Sequence, residues 1–304
     1  MKARILRANL YIGIFFLAGA TLLLILNQPF IKTWYYVFAW WAFILILDSL
    51  NYRNRGSSPL SEDLSDFLFL AFLSVCVWLV FELFNLRLNN WSYFDLPPSR
   101  FSRWLGYFLA FATVIPALKE LSLLFQFVRG RKRSRLFRLR VTPLFLRGSA
   151  FLGGLGVVLI LVWPRIFFPL LWVSLVFLVE PLNYRLRIGS LLTDLETNDW
   201  SRFIDWILAG LAAGFFWEFW NFWAGSRWEY TLPYLDFWHI FQMPVFGYIG
   251  FLPFALEIFA VQNLLLDIRK KTRKSFSLSV LMLAFLVIYC CVCFYLMDLF
   301  TVVH

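Results

Sequence analysis

Only two histidines and four cysteines occur in the 304 residues. His239 and His304 are too few for a histidine-rich di-iron centre. His239, Glu218 and Glu257 have the ligand types for a mononuclear metal site. A lone interfacial histidine that anchors its helix is the commoner arrangement, so no metal is assigned. The cysteines, Cys76, Cys290, Cys291 and Cys293, all lie in apolar runs. That placement argues against a disulfide framework. Cys290 and Cys293 have the spacing of a redox pair, or are small polarizable residues of a lipid-facing helix.

Charge is also scarce. Charged residues make up 15% of the chain, where a soluble domain carries about a quarter. Nucleotide-binding loops, catalytic triads and clustered cysteine–histidine metal motifs are missing, so no cofactor is indicated. What fills the space is apolar: 61% hydrophobic and 21% aromatic residues, with a mean hydropathy of +0.72.

Apolar runs of about 17–25 residues are read as membrane spans. Nine are expected, near 9–28, 34–50, 66–86, 103–128, 148–163, 166–182, 203–224, 244–266 and 276–300. Lys2, Arg4 and Arg7 before the first run resemble the start of a signal peptide. No small-residue cleavage site follows, so a retained first span is expected. With the N-terminus inside, the inside segments hold 21 of the 28 lysines and arginines. This asymmetry predicts a bacterial inner-membrane protein with its N-terminus cytoplasmic and its C-terminus outside. The net charge of +10 then needs no nucleic acid. The basic segments 129–147 and 269–274 are expected to meet anionic lipid headgroups, at about 1 kcal/mol per basic residue near the surface.

The chain repeats itself. Asp48-Ser-Leu-Asn51-Tyr52-Arg53 matches Glu180-Pro-Leu-Asn183-Tyr184-Arg185, and Phe81-Glu82-Leu-Phe-Asn85 matches Trp217-Glu218-Phe-Trp-Asn221. Trp91-Ser-Tyr93 matches Trp228-Glu-Tyr230, and Pro116 to Glu120 matches Pro253 to Glu257. The expected fold is an all-α membrane protein: a four-helix repeat over 1–128, a basic linker over 129–147, a second repeat over 148–268, and a loop with a ninth helix over 269–304. Four spans per repeat insert both halves in the same sense, with a pseudo-two-fold along the membrane normal. The ninth helix has no counterpart and is expected on the outside.

An acid inside a span is a functional-site hypothesis. Glu218 with Asn221, and Glu82 with Asn85, share a helix face. Each pair is either a carboxylate with an oriented amide or a structural clamp between helices. Pro244, Gly247, Gly250 and Pro253 form a small-residue stripe, and Glu257 follows. Close helix approach and a kink at Pro253 would put Glu257 beside a pocket. His239, in Asp236-Phe-Trp-His239, is expected on an interfacial half-helix as a proton shuttle or anchor. Trp217, Trp220, Trp223, Trp228 and Trp238 surround Glu218 in sequence. They are either interfacial belt residues or an aromatic wall that suits a proton-donating acid and a transient carbocation.

These readings give catalytic candidates Glu218, Glu257 and His239. The binding candidates are Asn221, Trp217, Trp220, Trp228, Tyr230, Glu82, Asn85 and Glu120. The second repeat, with the histidine and without the extra cation Lys119, is the expected active half.

Trp228-Glu-Tyr230, Gly247 to Gly250 and Pro253 to Glu257 resemble, in that order, elements of the membrane-bound carotenoid cyclases, the small tandem-domain lycopene cyclases. Trp91-Ser-Tyr93 and Pro116 to Glu120 are a fainter copy. The resemblance covers about 40 residues per repeat. That family spaces its proline and glutamates more tightly and has an odd number of spans per repeat. The resemblance implies acid-catalysed chemistry on a polyene, with Glu257 as the acid. Three functions compete: an enzyme acting on an isoprenoid or other lipid, a proton- or cation-coupled transporter, and a non-catalytic membrane subunit.

Overall fold

The computed structural model describes residues 2–130, 132–234 and 237–303, with side chains from residue 8 onward. Asp236 and His304, Arg131 of the basic linker, and the side chains of Lys2, Arg4 and Arg7 lie outside the described set. Among the described residues, nine helical segments are long and apolar enough to cross a membrane. Each expected span overlaps one of them. Large apolar side chains such as Phe15, Leu144 and Phe276 point outward, as lipid-facing helices do.

The chain begins with α1 (Lys2–Ile25) and α2 (Pro29–Arg55), which pack as a pair. Gly56, at φ 78°, ends α2 in the left-handed conformation that suits glycine. A short α3 (Pro59–Glu62) leads into α4 (Leu64–Leu88), capped by the Asp63 side chain. Strand β1 (Trp91–Phe94) and helices α5 (Arg100–Phe111) and α6 (Val114–Arg129) follow. Next come α7 (Pro143–Val162), α8 (Pro164–Phe167), a 3-10 turn (Phe168–Trp172), α9 (Ser174–Leu186) and α10 (Leu191–Glu196). Then come α11 (Ser201–Trp223), β2 (Arg227–Tyr230), the two-residue strands β3 (His239–Ile240) and β4 (Met243–Pro244), α12 (Tyr248–Thr272) and α13 (Phe276–Phe300).

Two spans are broken where the sequence predicts continuous helices. The fourth is α5 plus α6, interrupted at Ala112 and Thr113. The Ser74 hydroxyl, from α4, donates to the Phe111 carbonyl and accepts from the Ile115 amide. One side chain thus serves both backbone groups orphaned by the break. The sixth span is interrupted at Val173, between the 3-10 turn and α9.

The Trp-x-Tyr elements are strands, not loops. β1 and β2 pair antiparallel, Trp91 opposite Tyr230 and Tyr93 opposite Trp228. Residues 301–303 join the other edge of β1, through Tyr93 N–H to the Thr301 carbonyl and Val303 N–H to the Tyr93 carbonyl. The ninth helix is therefore tied in. It packs on α4, where Cys290 Sγ lies 3.7 Å from Cys76 Sγ. All four cysteines are free thiols, and Cys290 and Cys293 are not bonded to each other.

The small-residue stripe is also redistributed. Pro244 and Gly247 precede α12, and the Gly250 Cα faces the Trp172 ring. The close helix contact uses Gly210 and Gly214 of α11 instead. A Cβ on Gly210 would lie 2.3 Å from the Phe251 carbonyl oxygen of α12. Backbone cannot rotate aside as a side chain can. Gly210→Ala is expected to destabilise by about 1–3 kcal/mol, read as a lower unfolding temperature in detergent. An unchanged temperature would show that the helices separate freely.

The basic linker is not a free anchor. Trp200 N–H donates to the Ser134 carbonyl, and Arg138 Nε to the Glu196 carbonyl. Arg129 pairs with Asp205 at 2.8 Å and Arg133 with Asp199 at 3.3 Å.

Candidate functional site

Two matching clusters stand at the strand ends of α4 and α11. In each, an asparagine holds the strand that follows. Asn85 Nδ2 donates to the Trp91 carbonyl, and its Oδ1 accepts from the Asn90 amide. Asn221 Nδ2 donates to the Trp228 carbonyl, and its Oδ1 accepts from the Trp228 amide. The amides therefore do not orient the carboxylates directly, which corrects one expectation for Asn85 and Asn221. A side-chain amide carries both N–H donors and a carbonyl acceptor, as a backbone peptide does, so it replaces a missing strand partner. Each strand then aims a tyrosine at the acid: Tyr93 OH donates to Glu82 at 2.5 Å, and Tyr230 OH to Glu218 at 2.7 Å. Burial first, then the adjacent carboxyl, hold both phenols well above their ordinary pKa. They remain protonated donors.

The clusters differ four residues before each acid. Trp78 precedes Glu82, and its indole N–H donates to Glu82 at 2.8 Å; Trp91 donates as well. Glu82 is thus enclosed by three donors. At the corresponding place before Glu218 stands Gly214, with no side chain to donate. Glu218 is fully buried, and its Oε2 has no hydrogen-bond partner. The sequence alone offered this contrast, tryptophan against glycine at i−4, but not its consequence.

Glu218 lines a cavity of about 870 Å³, counted to its open mouth. The walls come from α2, α4, β1, α5, α6, α11, β2 and α12, and are largely aromatic: Tyr36, Trp78, Tyr107, Trp217, Trp228 and Phe251 among them. Two cations line it, and both are paired. Arg103 Nε and Nη2 donate to Asp298 at 2.7 and 2.9 Å, and its Nη1 donates to the Pro97 carbonyl. Arg227 pairs with Glu229 and Asp95. The cavity therefore offers a bound molecule aromatic faces, the buried Glu218 carboxyl in its wall and no unpaired cation. Tyr36, Trp78, Tyr93, Arg103 and Tyr107 were not singled out for this site from sequence. They reach it from the first half of the chain.

Several sequence-predicted residues lie elsewhere. Glu257 is fully buried, but it accepts from the Leu175 amide at 2.8 Å, at the start of α9. It stabilises the break in the sixth span rather than facing either large aromatic cavity. Glu120 accepts from Asn51 Nδ2 at 2.7 Å and lines neither. Trp220 packs edge-to-face on Trp40, with centroids 4.8 Å apart. Trp223 and Trp238 are exposed. His239 lies in the exposed β3–β4 hairpin, not on a half-helix, and lines neither cavity. Glu257→Ala leaves the Leu175 amide buried without an acceptor, so it is expected to cost about 1–3 kcal/mol in detergent unfolding. Glu257→Gln keeps an acceptor and is expected to cost far less. Equal losses from the two variants would contradict the capping role.

No family model, curated protein or solved structure matches the chain.

Proposed function

We propose that the chain is a bacterial inner-membrane enzyme in which Glu218 donates a proton to an uncharged isoprenoid lipid lodged in the aromatic cavity. The observation that carries this reading is Glu218 itself, a fully buried residue of the cavity lining whose Oε2 has no hydrogen-bond partner. A carboxyl proton on that oxygen has no protein acceptor and is available to a ligand. The proton adds to a carbon–carbon double bond, whose π pair forms the new C–H bond and leaves a tertiary cation. Tyrosine and tryptophan faces favour that cation. A second double bond of the same chain closes a ring, or the cation keeps its skeleton. Loss of a neighbouring proton to the Glu218 carboxylate then restores the acid. The net change is an isomerisation and needs no oxidant. Paired guanidiniums disfavour a diphosphate headgroup, so the substrate is a hydrocarbon, alcohol or similar neutral lipid.

This reading keeps the chemistry of the carotenoid cyclases but moves the acid from Glu257 to Glu218. Transport is less well supported, because Glu120 and Glu257 line neither aromatic cavity. A purely structural role does not call for an acid in the wall of an aromatic cavity, where Glu257 and Glu120 are not found.

The proposed frame is two parallel four-helix repeats with α13 added, the N-terminus inside and the C-terminus outside. Paired contacts support it. Asn51 donates to the Glu120 carbonyl, and Asn183 to the Ala260 carbonyl. Arg129 of α6 pairs with Asp205 of α11, and Arg269 of α12 pairs with Asp66 of α4. These contacts favour aligning Glu120 with Ala260, three residues beyond the sequence match to Glu257. In that register neither acid is the other's counterpart. The segments 129–147 and 269–274 would face anionic headgroups on the inner side.

Mass spectrometry of co-purified lipid tests the function. Glu218→Gln should retain a neutral isoprenoid that wild type carries in converted form. Absence of any such lipid from both, or the same species in the same ratio, would overturn it.

A further inference from the structure

A second cavity, of about 1150 Å³ with the open space at its mouth included, lies across the shared wall of Trp78, Tyr93, Trp228, Tyr230 and Phe251. Its lining follows that of the first. Phe168 stands 132 residues after Tyr36, and Leu232 stands 136 after Leu96. Gly250 stands 140 after Ala110. At the same separation of 140, the position of Arg103 is taken by Met243, and no charged residue lines the second cavity. Its matching acid, Glu82, is not in the lining, because Trp78, Trp91 and Tyr93 enclose it.

We propose that this second cavity is a binding site for an uncharged isoprenoid chain, which it holds without reacting on it. The lining repeats that of the first cavity, so the same class of chain fits. The walls are apolar with a few polar groups, as in ligand pockets generally. No reaction follows, since no carboxyl oxygen reaches the space. The choice of ligand rests on the function proposed above; the presence of a site does not.

The test uses the whole purified protein in detergent and geranylgeraniol bearing a diazirine. After illumination, adducts are mapped by peptide mass spectrometry. Two sets are expected, one on Trp34 to Val37 and Gly106, the other on Phe168 to Val173 and Phe246 to Gly250. Excess unlabelled geranylgeraniol should suppress both, and geranylgeranyl diphosphate should suppress neither. Ile249 lies at the cavity wall and is largely exposed. Ile249→Trp should remove the second set, down to the level seen with excess competitor, and spare the first. Should that variant lose both sets through misfolding, Leu232→Trp fills the same cavity from another element and is held to the same expectation. Glu218→Gln should keep both sets. If wild type shows no turnover yet both sets remain, the catalytic reading fails and the second site stands. The site is overturned if the second set is missing from wild type, survives excess competitor, or persists in both filled variants.

Discussion

If Glu218 is the proposed general acid, replacing it with glutamine should lower turnover of the lipid by about 10²–10⁴-fold, the usual worth of such a group. Glutamine keeps the size of the side chain and an oxygen to accept from Tyr230, which donates at 2.7 Å. What it lacks is the transferable proton. The comparison that gives this result meaning is Glu82→Gln. Its carboxyl accepts from Trp78, Trp91 and Tyr93. All three donate to Oε1, and a glutamine keeps an oxygen there; its amide nitrogen replaces Oε2, which accepts only from the Trp91 indole at 3.3 Å, so the cost lies at the low end of the about 1–3 kcal/mol of a mispaired buried group. Glu82→Gln should therefore lose stability and keep turnover, while Glu218→Gln loses turnover and keeps stability. Product chromatography and thermal unfolding in detergent read the two effects. Equal loss of turnover in both variants would remove the distinction between the clusters.

The largest loss of stability is expected from Asp298→Ala. Asp298 accepts from Arg103, Trp104 and Tyr107 of α5. Its side chain and that of Arg103 are 6% and 9% exposed, so neither charge has water to fall back on. Removing the carboxylate leaves a buried guanidinium with only carbonyl partners. Breaking such a pair from one side costs about 3–5 kcal/mol. It should also free α13 and detach residues 301–303 from β1, which limited proteolysis would report. Removing both charges together, as Arg103→Met with Asp298→Leu, should recover much of the loss, since the penalty belongs to the uncompensated ion. A single variant as stable as wild type, or a double variant worse than the single, would contradict this account.

The spans were legible because hydropathy is a local property. The breaks were not. Ala112 and Thr113 sit in an apolar run, and the group that stabilises the break, Ser74, is 41 residues from Ile115. The same limit hid the strands. Four residues of Trp-x-Tyr pattern carry little signal, and their pairing joins Trp91 to Tyr230. Glu257 illustrates a related limit. An acid after a proline inside a span reads the same whether it faces a hollow or caps a distant helix, and its partner Leu175 is 82 residues away. Glu218 was legible as a candidate. Its difference from Glu82 was written at Trp78 and Gly214, but that the Phe251 ring of α12 packs on Gly214, where the first cluster has an indole donor, shows only when the helices meet. Asp298 drew no notice because its partner Arg103 lies 195 residues earlier.

Turnover in heavy water tests the central claim most directly. Wild-type protein, supplied with the neutral lipid recovered from Glu218→Gln and allowed to react in deuterium oxide, should return product with deuterium at a former double-bond carbon, and Glu218→Gln should return essentially none. Product free of deuterium, or labelled to the same extent by both proteins, would mean that Glu218 is not the proton donor.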